Sequence, residues 1–332
     1  MDLRMSRCII LRCTDSLSWS KSIILEERFS SSPMTTGTSK QLDAILASYP
    51  DPDYRRRAAL ILSHLEVAPG IKILDVGCGM GKYESILTRL YTHLEVVGVD
   101  IDMRRLQQAK GVTSRSQEVQ FIQADATCLP FRGSCFDRVI ASEILEHLES
   151  DLKALFEIAR LLSDGCAILS VPNASFPMSW DPINYILQRV AKTHIPSRLK
   201  LVGGIWAGHR RLYTEQQLRS RISIARLRVL KVWRTTRVCL PFVSFLTQFA
   251  AVAIERIGAI ELVSWRQSGI RRKDRLVRLL RSPIDFVDKL NSDQEPGEIS
   301  VTLIAKADLM PSNCQPLRSQ VVSRPEGDSR YS

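Results

Sequence analysis

The stretch Ile71-Lys72-Ile73-Leu74-Asp75-Val76-Gly77-Cys78-Gly79-Met80-Gly81 decides the fold. Apolar and β-prone residues run into Asp75, and glycines then take alternate positions: Gly77, Gly79 and Gly81. This pattern predicts a buried parallel strand that ends in a tight turn, where a helix starts and the backbone comes close to a ligand. Glycine suits such a turn because it tolerates positive φ and has no Cβ to block the approach. Pro69-Gly70 supplies a turn just before the strand. Taken alone, the stretch admits any nucleotide-type cofactor.

Working outward, strands alternate with amphipathic helices. Strands are expected at Ile71–Val76, Glu95–Asp100, Val119–Ala124, Phe136–Ser142 and Cys166–Val171. Helices are expected at about Lys82–Tyr91, Met103–Lys110 and Asp151–Leu162, the last with Leu152, Leu155, Phe156, Ala159 and Leu162 on one face. That alternation implies an α/β fold with a doubly wound, mostly parallel sheet. Upstream, Leu42, Ile45 and Leu46, then Leu60, Ile61 and Leu65, mark a helical pair.

Beyond Asn173 the rhythm loosens. Residues 174–212 read as an acceptor-side segment of loop with a helix near Ile183–Ala191, and Thr214 and Gln217 form a capping box that opens another helix. Strands at Ala225–Trp233 and Glu298–Ala305 enclose a basic and apolar helical insertion, 235–297, and Asp164-Gly165 is expected to turn the chain into the fifth strand. The organisation expected is therefore an extension at 1–33, one domain at 34–306 and a tail at 307–332, with both ends disordered and Met34 an alternative first residue.

With 332 residues, 45% of them hydrophobic and 24% charged, the chain can bury a sizeable core. Its net charge of +11 is local: Arg189 to Arg281 holds 21 Lys/Arg against four acids, which puts that segment at +17 and the rest at −6. A solvated basic face is the bland explanation. Val238–Ile254 is free of charge but is interrupted by Pro241, Ser244, Thr247 and Gln248, and its 17 residues fall short of a comfortable membrane span. Trp265, Arg271, Arg272, Lys273, Arg275, Arg278 and Arg281 follow, a composition suited to an anionic membrane surface. Trp206, Trp233 and Trp265 among the bases also fit nucleic acid. The eight cysteines include no CxxC pair and no zinc-like spacing, so no metal is expected, and a reducing, cytoplasmic setting with peripheral membrane contact is the simplest reading.

The spacing of acids narrows the cofactor. Asp100 ends the second strand 23 residues after Gly77, where a carboxylate can accept from both hydroxyls of a ribose. Asp125 follows the third strand, where it can accept from the exocyclic amine of a purine. A dinucleotide fingerprint needs glycine at position 82, where this chain has Lys82.

ILDVGCGMG, VVGVD, FIQADATCLPF and CFDRVIASEILEHLESDLKALFEIARLLSDGCAILSVPN together resemble the class I S-adenosylmethionine-dependent methyltransferases, in the small-molecule "type 11" branch that includes quinone-biosynthesis enzymes. The resemblance covers roughly residues 55–230 and the last strand. It implies a seven-stranded Rossmann-like sheet whose seventh, antiparallel strand lies beside the sixth, and S-adenosyl-L-methionine as cofactor. It also implies that Asp75, Gly77, Cys78, Gly79 and Gly81 hold the methionine part, that Asp100 and Ile101 hold ribose and adenine, and that Asp125 and Ala126 edge the adenine. Ser142 and Glu143 resemble the positions nearest the sulfonium, and His209 and Tyr213 resemble a His-x-x-x-Tyr segment lining the acceptor side.

Methyl transfer mainly needs an acceptor positioned in line with the activated methyl, and a base only if that acceptor arrives protonated. The candidates are His209, Tyr213, His147 and Glu143. Against the first three stand plainer roles: His147 on a helix surface, His209 and Tyr213 in loop packing; Asp137 reads as a strand cap rather than as a catalytic group. The acceptor expected is small or lipid-like, methylated at oxygen, carbon or nitrogen. RNA methylation and a non-enzymatic basic membrane- or RNA-binding protein on the same fold are the alternatives. Ala141-Ser142-Glu143-Ile144 at the end of strand four lacks the Asn-Pro-Pro-aromatic signature of base-amine methylation.

Overall fold

Lys72–Val76 forms β1, the third strand of a seven-stranded sheet ordered β3-β2-β1-β4-β5-β7-β6. The computed structural model describes residues 34–47, 49, 51–113, 119–199, 203–238, 291 and 299–311. The expectations for 1–33, for the insertion at 239–290 and 292–298, and for the tail beyond 311 lie outside the described residues.

The strands are β1, β2 (Glu95–Asp100), β3 (Val119–Gln123), β4 (Phe136–Ser142), β5 (Leu162–Pro172), β6 (Leu227–Thr235) and β7 (Thr302–Leu309). The first five run parallel, and β7 runs antiparallel to both β5 and β6. The helices are α1 (Thr36–Leu46), α2 (Pro52–His64), α3 (Lys82–Leu90), α4 (Met103–Thr113), α5 (Asp151–Leu161), α6 (Pro182–Val190) and α7 (Glu215–Ile224). Alternation along the strands divides the core in two, because successive side chains face opposite sides. Ile73, Ile140, Ile168 and Ile304 face α1, α2 and α3. Leu74, Val139, Leu169 and Ala305 face α5 and α7. Parallel sheets are covered on both faces for this reason.

Most boundaries fall within a residue or two of those expected; two regions differ. Asp164-Gly165 is not a turn before β5 but lies inside it, in a bulge where Phe136 pairs with Leu162 and Arg138 with Cys166. A Cβ on Gly165 would stand 1.7 Å from the Asp137 carbonyl oxygen, so only glycine fits. The last strand begins four residues later than Glu298. Ser300 N donates to Ser175 O and Val301 N to Thr235 O, so 300 and 301 cross the sheet's end before the ladder starts. The strand then continues to Leu309, past the boundary placed at 306. Asp137 caps strand ends: its Oδ2 accepts from Lys72 N at 2.9 Å, at the start of β1. Among the described residues no helix is long and apolar enough to cross a membrane.

Candidate functional site

The carboxyl ends of β1, β2, β3 and β4 meet around the glycine turn, where open α/β sheets bind ligands. Gly77 N and Cys78 N both donate to Val99 O, at 2.7 and 3.0 Å, which folds the turn back onto β2. Gly77 has φ +79, and a Cβ there would meet the Ile144 side chain at 2.9 Å. Gly79 (φ +56) differs: nothing lies within 4 Å of a Cβ placed on it, so the turn opens on that side. Gly81 (φ +72) precedes α3. The Cys78 thiol is buried, and burial pushes its pKa up, so it acts as a small apolar group rather than a nucleophile.

Asp100 is almost fully buried, and both its oxygens are fixed: Oδ2 accepts from Gly79 N at 2.9 Å and Oδ1 from Asp102 N at 2.8 Å. A carboxylate has about four acceptor positions, so roughly two remain for a ligand. Beside it Ile101 is 68% exposed, with Met80 and Met103 also exposed, so an apolar rim surrounds the anchored carboxylate. Asp125 is exposed and its Oδ1 accepts from Thr127 N and Oγ1, each at 2.8 Å; Ala126 packs into the core beneath it.

Asp75 does not face this rim openly; it is buried at the floor, level with Gly98 of β2. Glu84, from the first turn of α3, reaches the same floor: its Oε1 would lie 2.4 Å from a Cβ on Gly98. Among the described residues, neither Glu84 oxygen nor Asp75 Oδ2 has a partner within hydrogen-bonding geometry. Burial pushes Asp75 up to about 7 and Glu84 well above the carboxylate range. The folded chain therefore holds these protons more tightly than the unfolded chain, so stability is highest in acid and is lost as pH rises from the ordinary carboxylate range through about 7. The melting temperature is expected to fall between about pH 5 and pH 8, and Glu84→Gln to flatten that slope. A slope unchanged in the variant would count against it.

The end of β4 carries a network that sequence reasoning missed. Ser142 Oγ lies 3.0 Å from Tyr83 Oη and 2.9 Å from Ser170 Oγ, and Ser170 Oγ donates to Glu143 Oε1 at 3.1 Å. Glu143 adopts φ +54, uncommon for a residue with a Cβ, and its N donates to Ser170 O at 3.0 Å. Arg57 of α2 reaches in: its Nη1 is 3.1 Å from Asp53 Oδ2 and 3.5 Å from Glu143 Oε1. Asp53 also accepts from Thr235 Oγ1 and Thr302 Oγ1, each at 3.0 Å. The four-residue spacing of Asp53 and Arg57, within the run Arg55-Arg56-Arg57, was the available signal.

His147 and His209 come together, with ring centroids 4.8 Å apart, although 62 residues separate them. His147 Nδ1 hydrogen-bonds the Gly208 carbonyl at 3.0 Å. His209 is held neutral at physiological pH: burial, then the neighbouring His147, lower it to about 4. Between them lies Glu146, fully buried, its carboxyl raised well above the usual range by burial and by Glu143.

Tyr213 is a different case. Its hydroxyl donates to Asp151 Oδ2 at 2.7 Å, with Arg221 Nη1 on Oδ1 at 2.8 Å, and its backbone bridges to Asn173. Burial, and then the bond to Asp151, raise the tyrosine pKa, so the hydroxyl stays protonated. The Tyr213 hydroxyl is thus committed to Asp151, which favours the packing role over the acceptor-side role that the resemblance implies. Tyr213→Phe should cost roughly 1–3 kcal/mol in urea unfolding, the range for stranding a buried acceptor, and leave ligand affinity unchanged.

Residues 74–169 match the family described as "Methyltransferase domain". A malonyl-[acyl-carrier protein] O-methyltransferase of Legionella pneumophila is 32% identical over 111 residues, 33% of this chain and 38% of that protein. The chain thus spans about two-fifths of the length of that relative. A demethylmenaquinone methyltransferase of Staphylococcus saprophyticus is 26% identical over 173 residues, 52% of this chain and 70% of that protein. Among solved structures, a methyltransferase-class protein of Bacillus halodurans aligns with TM-score 0.50 and 15% identity, over 77% of this chain and all of that one, a likeness of fold.

Proposed function

We propose that this chain, which belongs to the class I S-adenosylmethionine-dependent methyltransferases of the type 11 branch, transfers a methyl group from that cofactor to a small-molecule acceptor. The observation that carries the reading is Asp100, locked by Gly79 N and Asp102 N at the mouth of an open glycine turn and rimmed by exposed Ile101, Met80 and Met103. When bound, the cofactor supplies a methyl on a sulfonium, which needs little activation. The chain's own part is to hold and aim. Asp100 would take the ribose, Ile101 the adenine face, Asp125 and Ala126 the adenine edge. Asp75 and the turn from Gly77 through Cys78 and Gly79 to Gly81 would take the methionine end, with Ser142 and Glu143 near the sulfonium.

Calorimetric titration with S-adenosylmethionine, and with ATP and NAD as controls, tests this. Saturable binding of S-adenosylmethionine alone is expected; no binding, or equal binding of all three, would overturn it.

The relatives' names speak for a small-molecule acceptor over RNA. A lipid-like acceptor met at a membrane surface has one observation in its favour. α6, in the acceptor-side segment, leaves Ile183, Ile186 and Val190 exposed, with Met178 and Leu199 exposed nearby. Flotation with anionic vesicles, comparing the chain with Ile186→Asp, separates the two: no flotation of the parent chain would remove the membrane, and equal flotation of both would remove the α6 face.

A further inference from the structure

We propose that Glu146, His147 and His209 form a binding site for a divalent transition-metal ion that takes an oxygen ligand, and that the methyl acceptor is therefore a hydroxyl compound. The cluster arises where the turn after β4 meets the 3₁₀ turn at Gly204–Trp206 and the loop after it. One ligand atom from each residue lies within 4.8 Å of the others. Three features set it apart from packing.

Glu146 is 0% exposed, and among the described residues neither of its oxygens has a hydrogen-bond partner. A buried carboxyl of that kind is costly unless something compensates it. Its Oε1 stands 3.7 Å from His147 Nε2 and 4.0 Å from His209 Nε2. Those distances are too long for hydrogen bonds, which fall at about 2.7–3.2 Å. They approach the spacing of two ligands around one ion: at ligand distances of about 2.0–2.2 Å, neighbouring donors sit roughly 3.0–3.5 Å apart. The widest edge of the triad, within 4.8 Å, must close by up to about 1.3 Å to reach that spacing, a shift the exposed His147 side chain is placed to make.

Orientation is the second feature. His147 Nδ1 hydrogen-bonds Gly208 O, which places the proton on Nδ1 and the lone pair on Nε2, the atom that faces Glu146. Backbone carbonyls orient ligand imidazoles in this way. The third is access. The His147 side chain is 41% exposed while Glu146 is sealed, so an ion held by three protein ligands keeps positions open on the outer side. Two imidazoles and one carboxylate suit zinc, cobalt, iron or manganese rather than calcium or magnesium.

Resting on the proposed methyltransferase reading, the site assigns the acceptor class. An acceptor hydroxyl bound to the ion gives up its proton to solvent more readily. Its oxygen then forms the new bond to the methyl carbon, while the carbon–sulfur bond of the donor breaks and the electron pair stays on sulfur. No other co-reactant is needed. The expectation that the chain holds no metal was drawn from cysteine spacing; here Glu146 and His147 adjoin in sequence, and His209 joins them only through the fold.

Chelator-stripped full-length chain titrated with Zn²⁺ by calorimetry, and with Co²⁺ by visible absorption, tests the site without depending on turnover. One saturable ion per chain and tetrahedral or five-coordinate cobalt bands are expected. His147→Ala, on the exposed side, and His209→Ala should each weaken binding by more than the roughly 10–100-fold that losing an outer partner costs. Both variants are checked for folding by circular dichroism, and Glu146→Gln is read beside them. Acetohydroxamate, an oxygen-donor probe, should shift the cobalt bands. No saturable ion, or folded variants that bind as the parent does, would overturn the site; bands unmoved by hydroxamate would overturn the hydroxyl assignment. S-adenosylmethionine binding is titrated separately, so its failure overturns the methyltransferase reading while the ion titration still judges the site.

Discussion

Asp100→Ala is expected to weaken S-adenosylmethionine binding at least 100-fold. The carboxylate anchors the site in two ways. It has acceptor positions left for the two ribose hydroxyls, and hydrogen bonds to a charged group are worth about 1.5–3 kcal/mol each. It also holds the turn, through Gly79 N at 2.9 Å, in the conformation that leaves the space beside Gly79 open. Two such bonds come to roughly 3 kcal/mol or more, and 1.4 kcal/mol is tenfold in affinity. Asp100→Asn keeps one acceptor and puts an amide against a backbone N–H, so it should fall between the two. Calorimetry gives both affinities, and circular dichroism confirms that the strands persist. An alanine variant within threefold of the parent would remove the ribose assignment and with it the main support for the cofactor.

The parts of this site that lay in plain view in the sequence are those made by one segment alone. Ile71–Gly81 carries its strand, its turn and its helix start in consecutive residues, and Asp100 and Asp125 follow predicted strands. Parallel strands then bring them to the same edge of the sheet, as found. What stayed hidden depends on partners distant in the chain. Arg57 is one of three consecutive arginines that nothing in the sequence tells apart, yet it packs against Glu143 at the end of β4. Tyr213 read as an acceptor-side group because a short motif resembles one; the partner that claims its hydroxyl, Asp151, starts a helix on another element. The last strand was set four residues early for a related reason. Residues 299–301 have strand-like composition, but Asn173, Ser175 and the end of β6 at Thr235 claim the hydrogen bonds of Ser300 and Val301.

Arg57→Met is expected to destabilise the fold by about 3–5 kcal/mol, the range found when one partner of a buried ion pair is removed. Burial alone would lower the guanidinium's hold on its proton, but Glu143 and Asp53 outweigh it, so Arg57 stays charged. Methionine fills similar volume, which isolates the loss of charge from a cavity. Asp53 keeps the Thr235 and Thr302 hydroxyls, so its deficit is partly covered. Glu143 keeps the Ser170 hydroxyl, at a backbone φ of +54 that the surroundings must hold. Burial already raises the Glu143 carboxyl, and the Arg57 charge opposes that rise more strongly than any other neighbour. Without Arg57 the folded state binds that proton more tightly, so the variant's deficit should be smaller in mild acid and should grow as pH rises. Urea unfolding at about pH 5.5 and pH 8 reads both effects. Adding Glu143→Gln to the variant should recover part of the loss at the higher pH, because the two residues share one interaction. A loss below about 1 kcal/mol at both pH values, in the range of exposed pairs, would mean the network is solvated and does not hold the end of β4.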